Sequence, residues 1–116
     1  MKKYLLLIFM MLGVALINAQ EKYLAEDAAK HIGENAIVTG EVAQVTTIKS
    51  GVTYLNIGAK FPDNVFTGVI FKKDAPAFEN LKELEGKKVE LIGMIEEYKG
   101  KPQIILKKPD QIKVVE

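Results

Sequence analysis

The chain has no cysteine, no tryptophan and no arginine; all 16 of its basic residues are lysines. Without cysteine there is no disulfide framework, no thiolate metal site, no cysteine nucleophile and no lipidated N-terminal cysteine. A single histidine, His31, rules out a histidine metal cluster; at the end of a short helix its cationic form would suit the helix dipole, a structural role. The lack of arginine removes the side chain that stacks on bases and grips phosphate with paired bonds. No nucleophile–base pair, phosphate loop or spaced carboxylate pair stands out, so the sequence reads as a non-enzyme without cofactor or metal. Glu96 and Glu97 are adjacent in an expected strand and so point to opposite faces, which makes a poor cation site.

Long apolar runs are scarce too, with one exception. After Lys2 and Lys3, residues 5–17 form an uncharged stretch of 13, followed by Ile17-Asn18-Ala19 and the polar Gln20-Glu21. A positive start, a short apolar run and a small residue before a polar turn form a signal peptide, with cleavage expected after Ala19. The run is shorter than the roughly 20 residues a spanning helix needs, so no stable membrane insertion is expected after cleavage. The expected location is periplasmic or secreted. The 116 residues allow at most one domain, here residues 20–116. Removing Lys2 and Lys3 leaves 14 lysines against 15 acids, a net charge near −1, so bulk charge does not single out a polyanion partner.

The periodicity alternates between helix and strand. Ala25, Ala28, Ala29 and Ile32 recur at helical spacing within residues 24–32, and Gly33 supplies a stop. Residues 36–48 read as a long strand with Val38, Gly40 and Val42 on one face. Val45 breaks that parity, as a bulge or a switch of face would require. Lys49-Ser50-Gly51 is a turn, residues 52–58 a second strand and residues 65–72 a third. Asp74 and Pro76 open a helix with an apolar stripe of Phe78, Leu81 and Leu84, ended by Gly86. Residues 87–97 are a fourth strand, Lys99-Gly100-Lys101-Pro102 a tight turn, residues 103–107 a fifth strand, and 111–115 an extended tail.

Five short strands with a helix between the third and fourth fit an all-β, five-stranded Greek-key OB-fold barrel with a short N-terminal helix. Val38-x-Gly40-x-Val42 and Leu91-x-Gly93-x-Ile95 place a glycine inside two strands, where bending or close approach is needed. An open sheet with a helix on one face is the alternative.

Several runs carry a family resemblance. They are Thr39-Gly40-Glu41-Val42, Tyr54-Leu55-Asn56-Ile57-Gly58, Phe66-Thr67-Gly68-Val69-Ile70-Phe71, Glu85-Gly86-Lys87-Lys88-Val89, Tyr98 to Ile104, and Pro109-Asp110-Gln111-Ile112. Together they resemble OB-fold domains of the nucleic-acid-binding, anticodon-binding-like group, with a likeness to OB modules of secreted bacterial nucleases. A second likeness is to small exported bacterial OB-fold proteins associated with stress tolerance and small cationic or amphiphilic ligands. The first resemblance implies a binding module for single-stranded nucleic acid or another polyanion. The second implies a cell-envelope protein that binds a small ligand or a protein partner.

On such a fold single strands lie across strands two and three, framed by the one–two and four–five loops. Tyr54 could stack a base there, and Asn56 could hydrogen-bond a base edge; Tyr54 fits equally an ordinary cross-strand aromatic. Phe61 lies in a loop beside Lys60, as a stacking group or a plug for the barrel end. Lys49, Lys60, Lys72, Lys99 and Lys101 could meet phosphate. Phe66 and Phe71 have opposite parity, so one faces the core and the other faces out; the pattern does not say which.

Overall fold

The computed structural model describes residues 20–115, so the expected signal peptide, residues 1–19, lies outside the described residues. Eight strands form one sheet system: β1 (Glu21–Leu24), β2 (Asn35–Thr47), β3 (Thr53–Ile57), β4 (Phe66–Ile70), β5 (Lys88–Met94), β6 (Glu96–Tyr98), β7 (Lys101–Ile105) and β8 (Ile112–Val114). Their order is β6-β7-β4-β3-β2-β5-β8, with β1 parallel to β2. Each neighbouring pair is antiparallel except β1–β2 and β4–β7, which are parallel.

The long strand β2 organises the fold. Its first half, Asn35 to Glu41, pairs with β5, and its second half, from Val42 onward, pairs with β3. The register slips between Val42 and Gln44, which is the bulge that the parity break at Val45 requires. Val38, Val42 and Val45 are all buried as a result. Beyond the bulge, Gln44 and Thr46 take the outer face.

The expected five-stranded closed barrel is corrected in three respects. The ladder is open: β5 and β6 are split at Ile95 and lie in different parts of the sheet, so hydrogen bonding does not run full circle. Ile95 is buried and its backbone pairs instead with Gly33 and Glu34, which draws the chain out of the ladder. The Gln111 side chain spans the gap between β5 and the end of β7. Its Nε2 donates to the Ile92 and Ile105 carbonyls at 2.9 and 3.2 Å, while its Oε1 accepts from the Lys107 and Lys108 amides. The second correction is that three further short strands (β1, β6 and β8) extend the sheet.

The third concerns the helices. Residues 24–32 form a 3₁₀ segment, Ala25–His31, not an α-helix. Three residues per turn bring Ala25 and Ala28 inward and leave Ile32 outside, so the α-helical stripe with Ala29 and Ile32 does not form. Between β4 and β5 the chain makes two short 3₁₀ segments, Lys72–Ala77 and Leu81–Leu84. Asn80, at φ 55°, separates them. Asp74 lies inside the first of these and makes no cap hydrogen bond. Phe78, Leu81 and Leu84 nonetheless pack on the core, as their spacing indicates.

That core is made by alternation. Leu55 and Ile57 of β3, Phe66 and Ile70 of β4, Val89 and Leu91 of β5, Ile104 of β7 and Leu106 are sealed from solvent. Each such side chain contributes about 1.5–3 kcal/mol by leaving water. Phe66 is therefore the inward phenylalanine of strand β4, and Phe71 is 37% exposed.

Candidate nucleic-acid interface

The second half of β2, with β3, β4 and β7, forms a sheet whose outer face carries the alternate residues to this core. The register aligns them in a row across the sheet. Gln44 stands opposite Asn56, Asn56 opposite Thr67, and Thr67 opposite Gln103. All four are uncharged hydrogen-bonding side chains, and they line the floor of a cleft of about 560 Å³.

Two loops wall the cleft. One carries Phe61 and Pro62, between β3 and β4, with Phe61 71% exposed. The other is the β6–β7 hairpin, whose turn residues Lys99 and Gly100 both take positive φ (50° and 81°). Two positive-φ residues are what a tight antiparallel turn demands, and glycine takes the second at no steric cost. Beside this turn stands Tyr98, 57% exposed, which lines the same cleft as Phe61. Tyr54, half-buried, also lines the cleft, beside Thr46, its partner across β2 and β3.

Hydrogen bonds hold these walls in place. Gln44 Oε1 accepts from Asn56 Nδ2 at 2.9 Å and from the Phe61 amide at 3.0 Å, anchoring the loop to the floor. Asn64 Nδ2 donates to Thr67 Oγ1 at 2.7 Å and to the Phe66 carbonyl, while Asn64 Oδ1 is buried without a partner among the described residues. Lys101 Nζ donates to the Pro62 carbonyl at 2.6 Å and lies 5.9 Å from the Phe61 ring centroid. It thus ties the two walls together. Lys99 Nζ lies 5.3 Å from the Tyr98 centroid, within cation–π range.

Of the residues singled out from the sequence, Tyr54, Asn56, Phe61, Lys99 and Lys101 line this one cleft. Asn56 is only 4% exposed, and its amide donor is bound to Gln44. Lys49, Lys60 and Lys72 are exposed but do not line it. Lys72 lays its aliphatic stem beside Gly51 at the β2–β3 turn, where an added Cβ would come within 2.8 Å of it. Gln44, Asn64, Thr67, Tyr98 and Gln103 also line the cleft and were not among the residues expected there. Simple alternation places Thr67 outward beside Phe66. Gln44 needs the bulge, and Tyr98 and Gln103 need the β6–β7 pairing, which joins them to β4 only in the folded chain.

No family model matches the sequence, and no curated protein does. Solved structures do. "OBody AM1L10 bound to hen egg-white lysozyme" matches with a TM-score of 0.60 at 17% identity, over 83% of this chain and 94% of that one. A second OBody, AM2EP06, also bound to hen egg-white lysozyme, matches with a TM-score of 0.57 at 15% identity, over 80% and 91%. Asparaginyl-tRNA synthetase from Pyrococcus horikoshii matches with a TM-score of 0.56 at 15% identity, over 83% of this chain but 23% of the synthetase. These likenesses concern the fold: a mostly β, OB-fold-like architecture. They lend nothing to the expected likeness to secreted nucleases.

Proposed function

We propose that the protein is a non-catalytic binding module that holds single-stranded nucleic acid in this cleft. The observation that carries the reading is the grouping of three accessible aromatic rings, Tyr54, Phe61 and Tyr98, around one row of neutral hydrogen-bonding side chains. Aromatic platforms suit any base, because every base has a π face. The fold shared with a protein named for its tRNA supports the same class of ligand. The cations play a small part: Lys101 is engaged with Pro62, which leaves Lys99 as the ammonium at the rim of the lining.

Titration of the mature protein with single-stranded DNA and RNA at two salt concentrations tests this. Phe61→Ala and Tyr54→Ala are each expected to cost about 1–3 kcal/mol of affinity at both salts. Lys99→Ala is expected to remove about 0.7 from the log–log salt slope. Wild-type affinity no better than millimolar for every single strand would overturn the reading. The cleft's volume, within the roughly 300–1,000 Å³ of small-molecule sites, favours a small ligand as the second reading in that event.

The apolar run at 5–17 supports export, and the module is proposed to act outside the cytoplasm.

A further inference from the structure

The floor of the cleft is not uniform in what it can offer a ligand. Gln44 Oε1 already accepts two hydrogen bonds, and Asn56 Nδ2 is spent on one of them. Thr67 Oγ1 accepts from Asn64. Gln103 differs: its amide makes no side-chain hydrogen bond among the described residues, and it is half-buried on the cleft floor.

Its place on β7 follows from alternation. Pro102, Ile104 and Leu106 are buried, so Lys101 and Gln103 share the opposite, outer face. Lys101 stands opposite Tyr98 in the hairpin, and Gln103 follows two residues on, about 7 Å deeper along the strand. Gln103 and Tyr98 therefore share one face of the hairpin, with one residue pair between them, and both line the cleft with Phe61.

A primary amide carries a donor and an acceptor side by side, the pattern of a base edge rather than of a phosphate. Glu96 stands directly opposite Gln103 in the antiparallel ladder, so both side chains leave the same face. A carboxylate only accepts hydrogen bonds. It favours an exocyclic amino group beside Gln103, and it repels both a keto oxygen and a phosphate.

We propose that Gln103 and Glu96 together set the base specificity of the cleft, Gln103 by holding the base edge and Glu96 by accepting from an exocyclic amino group and repelling a keto oxygen, so that cytosine and adenine, which present an amino group next to a ring-nitrogen acceptor, are preferred over thymine and uracil. The amino group donates to Gln103 Oε1 and the ring nitrogen accepts from Gln103 Nε2. The strand's phosphates stay at the rim near Lys99. This rests on the nucleic-acid reading above and adds base selectivity to it.

Fluorescence anisotropy with labelled dC12 and dT12 tests the proposal, since the two pyrimidines differ little in stacking area. Wild type is expected to bind dC12 at least fivefold more tightly than dT12. Glu96→Gln, which removes the carboxylate, is expected to bring the two within twofold, and Gln103→Ala to narrow the gap by weakening dC12 more than dT12. Gln103→Met, which preserves side-chain length without a hydrogen-bonding group, is expected to do the same. Melting temperatures should stay close to the wild-type value, because the Gln103 side chain makes no hydrogen bond among the described residues and its backbone pairing is kept. Equal wild-type binding of dC12 and dT12, or a cytosine preference left unchanged by Glu96→Gln or by both Gln103 substitutions, overturns the joint role of Gln103 and Glu96 while leaving single-strand binding standing. Absence of binding to either strand overturns both.

Discussion

At Gly40 the packing leaves no room for even a single methyl group. A Cβ there would lie 2.5 Å from Ile57 Cγ2 and 3.1 Å from the Ala25 Cβ. Ile57 and Ala25 are both buried, and an alanine Cβ cannot move without its backbone. Gly93 is equally crowded, with Ile104 Cγ2 at 2.8 Å and Gln111 Nε2 at 3.2 Å. Gly40→Val and Gly93→Val are each expected to cost about 1–3 kcal/mol by overpacking. Thermal melts should show losses of roughly 5–20 °C for a domain of this size. Melting points within a degree or two of wild type would show that the neighbours yield freely. Gly93→Val also crowds the Gln111 amide. Gln111→Ala alone should cost about 1–3 kcal/mol, because two backbone carbonyls and two amides lose their partner.

Among the elements, the N-terminal 3₁₀ segment shows how side chains fasten a short piece of chain. The Tyr23 and His31 rings stack at 3.6 Å with planes 4° apart. The Tyr23 hydroxyl donates to Glu34 Oε1 at 2.5 Å, and His31 Nδ1 lies 3.0 Å from Glu34 Oε2. The bond from Tyr23, then that from His31, holds the Glu34 carboxyl below its ordinary range. A depressed folded pKa stabilises the fold above the unfolded carboxylate value, about 4.3, and that contribution fades as pH falls through the lower folded value. The same bond pushes the Tyr23 phenol up to about 12. A raised folded pKa contributes fully below the unfolded value of about 10 and is lost as pH rises through it towards the folded one. This Tyr23–Glu34 latch is thus at full strength between about pH 5 and 10. Glu34→Gln should flatten the acid side of the stability profile, followed by melting temperature against pH. It should also return one late tyrosinate absorbance step from about 12 towards the ordinary value. An alkaline titration identical in variant and wild type would contradict the latch. A similar pairing closes the bulge edge, where Val45 donates its amide to Glu85 and accepts from Lys82. That amide, ahead of Lys82, holds the Glu85 carboxyl low.

For the whole molecule, the expected product is a chain beginning at Gln20. N-terminal sequencing of exported protein checks this, and intact Met1 in the membrane fraction would refute it. Among the described residues no helix is long and apolar enough to cross a membrane. The cleft itself is a whole-molecule feature: it joins β2, β3, β4, β6 and β7, which are far apart along the chain, and Lys101 ties its two walls.

Local chemistry was enough to mark most of the strands, the bulge near Val45, the two crowded glycines and the outward set of Tyr54 and Phe61. Alternation, turn glycines and β-branched runs are short-range signals, and a sheet with one buried face preserves them. Helix type was not legible, because alanine spacing of three and four residues suits both helical periods, and only packing of Ala25 and Ala28 against the sheet selects the tighter one. The parallel strand β1 was hidden because its partner lies across a 3₁₀ segment. The split of β5 from β6 at Ile95, the Gln111 bridge and the roles of the lysines were decided by tertiary structure alone. A lysine at a turn reads as a free cation until the fold brings a carbonyl such as that of Pro62 within 2.6 Å of it. Which donor is spent inside the protein and which is left for a ligand, as with Asn56 and Gln103, depends on contacts between strands that the linear order does not hold.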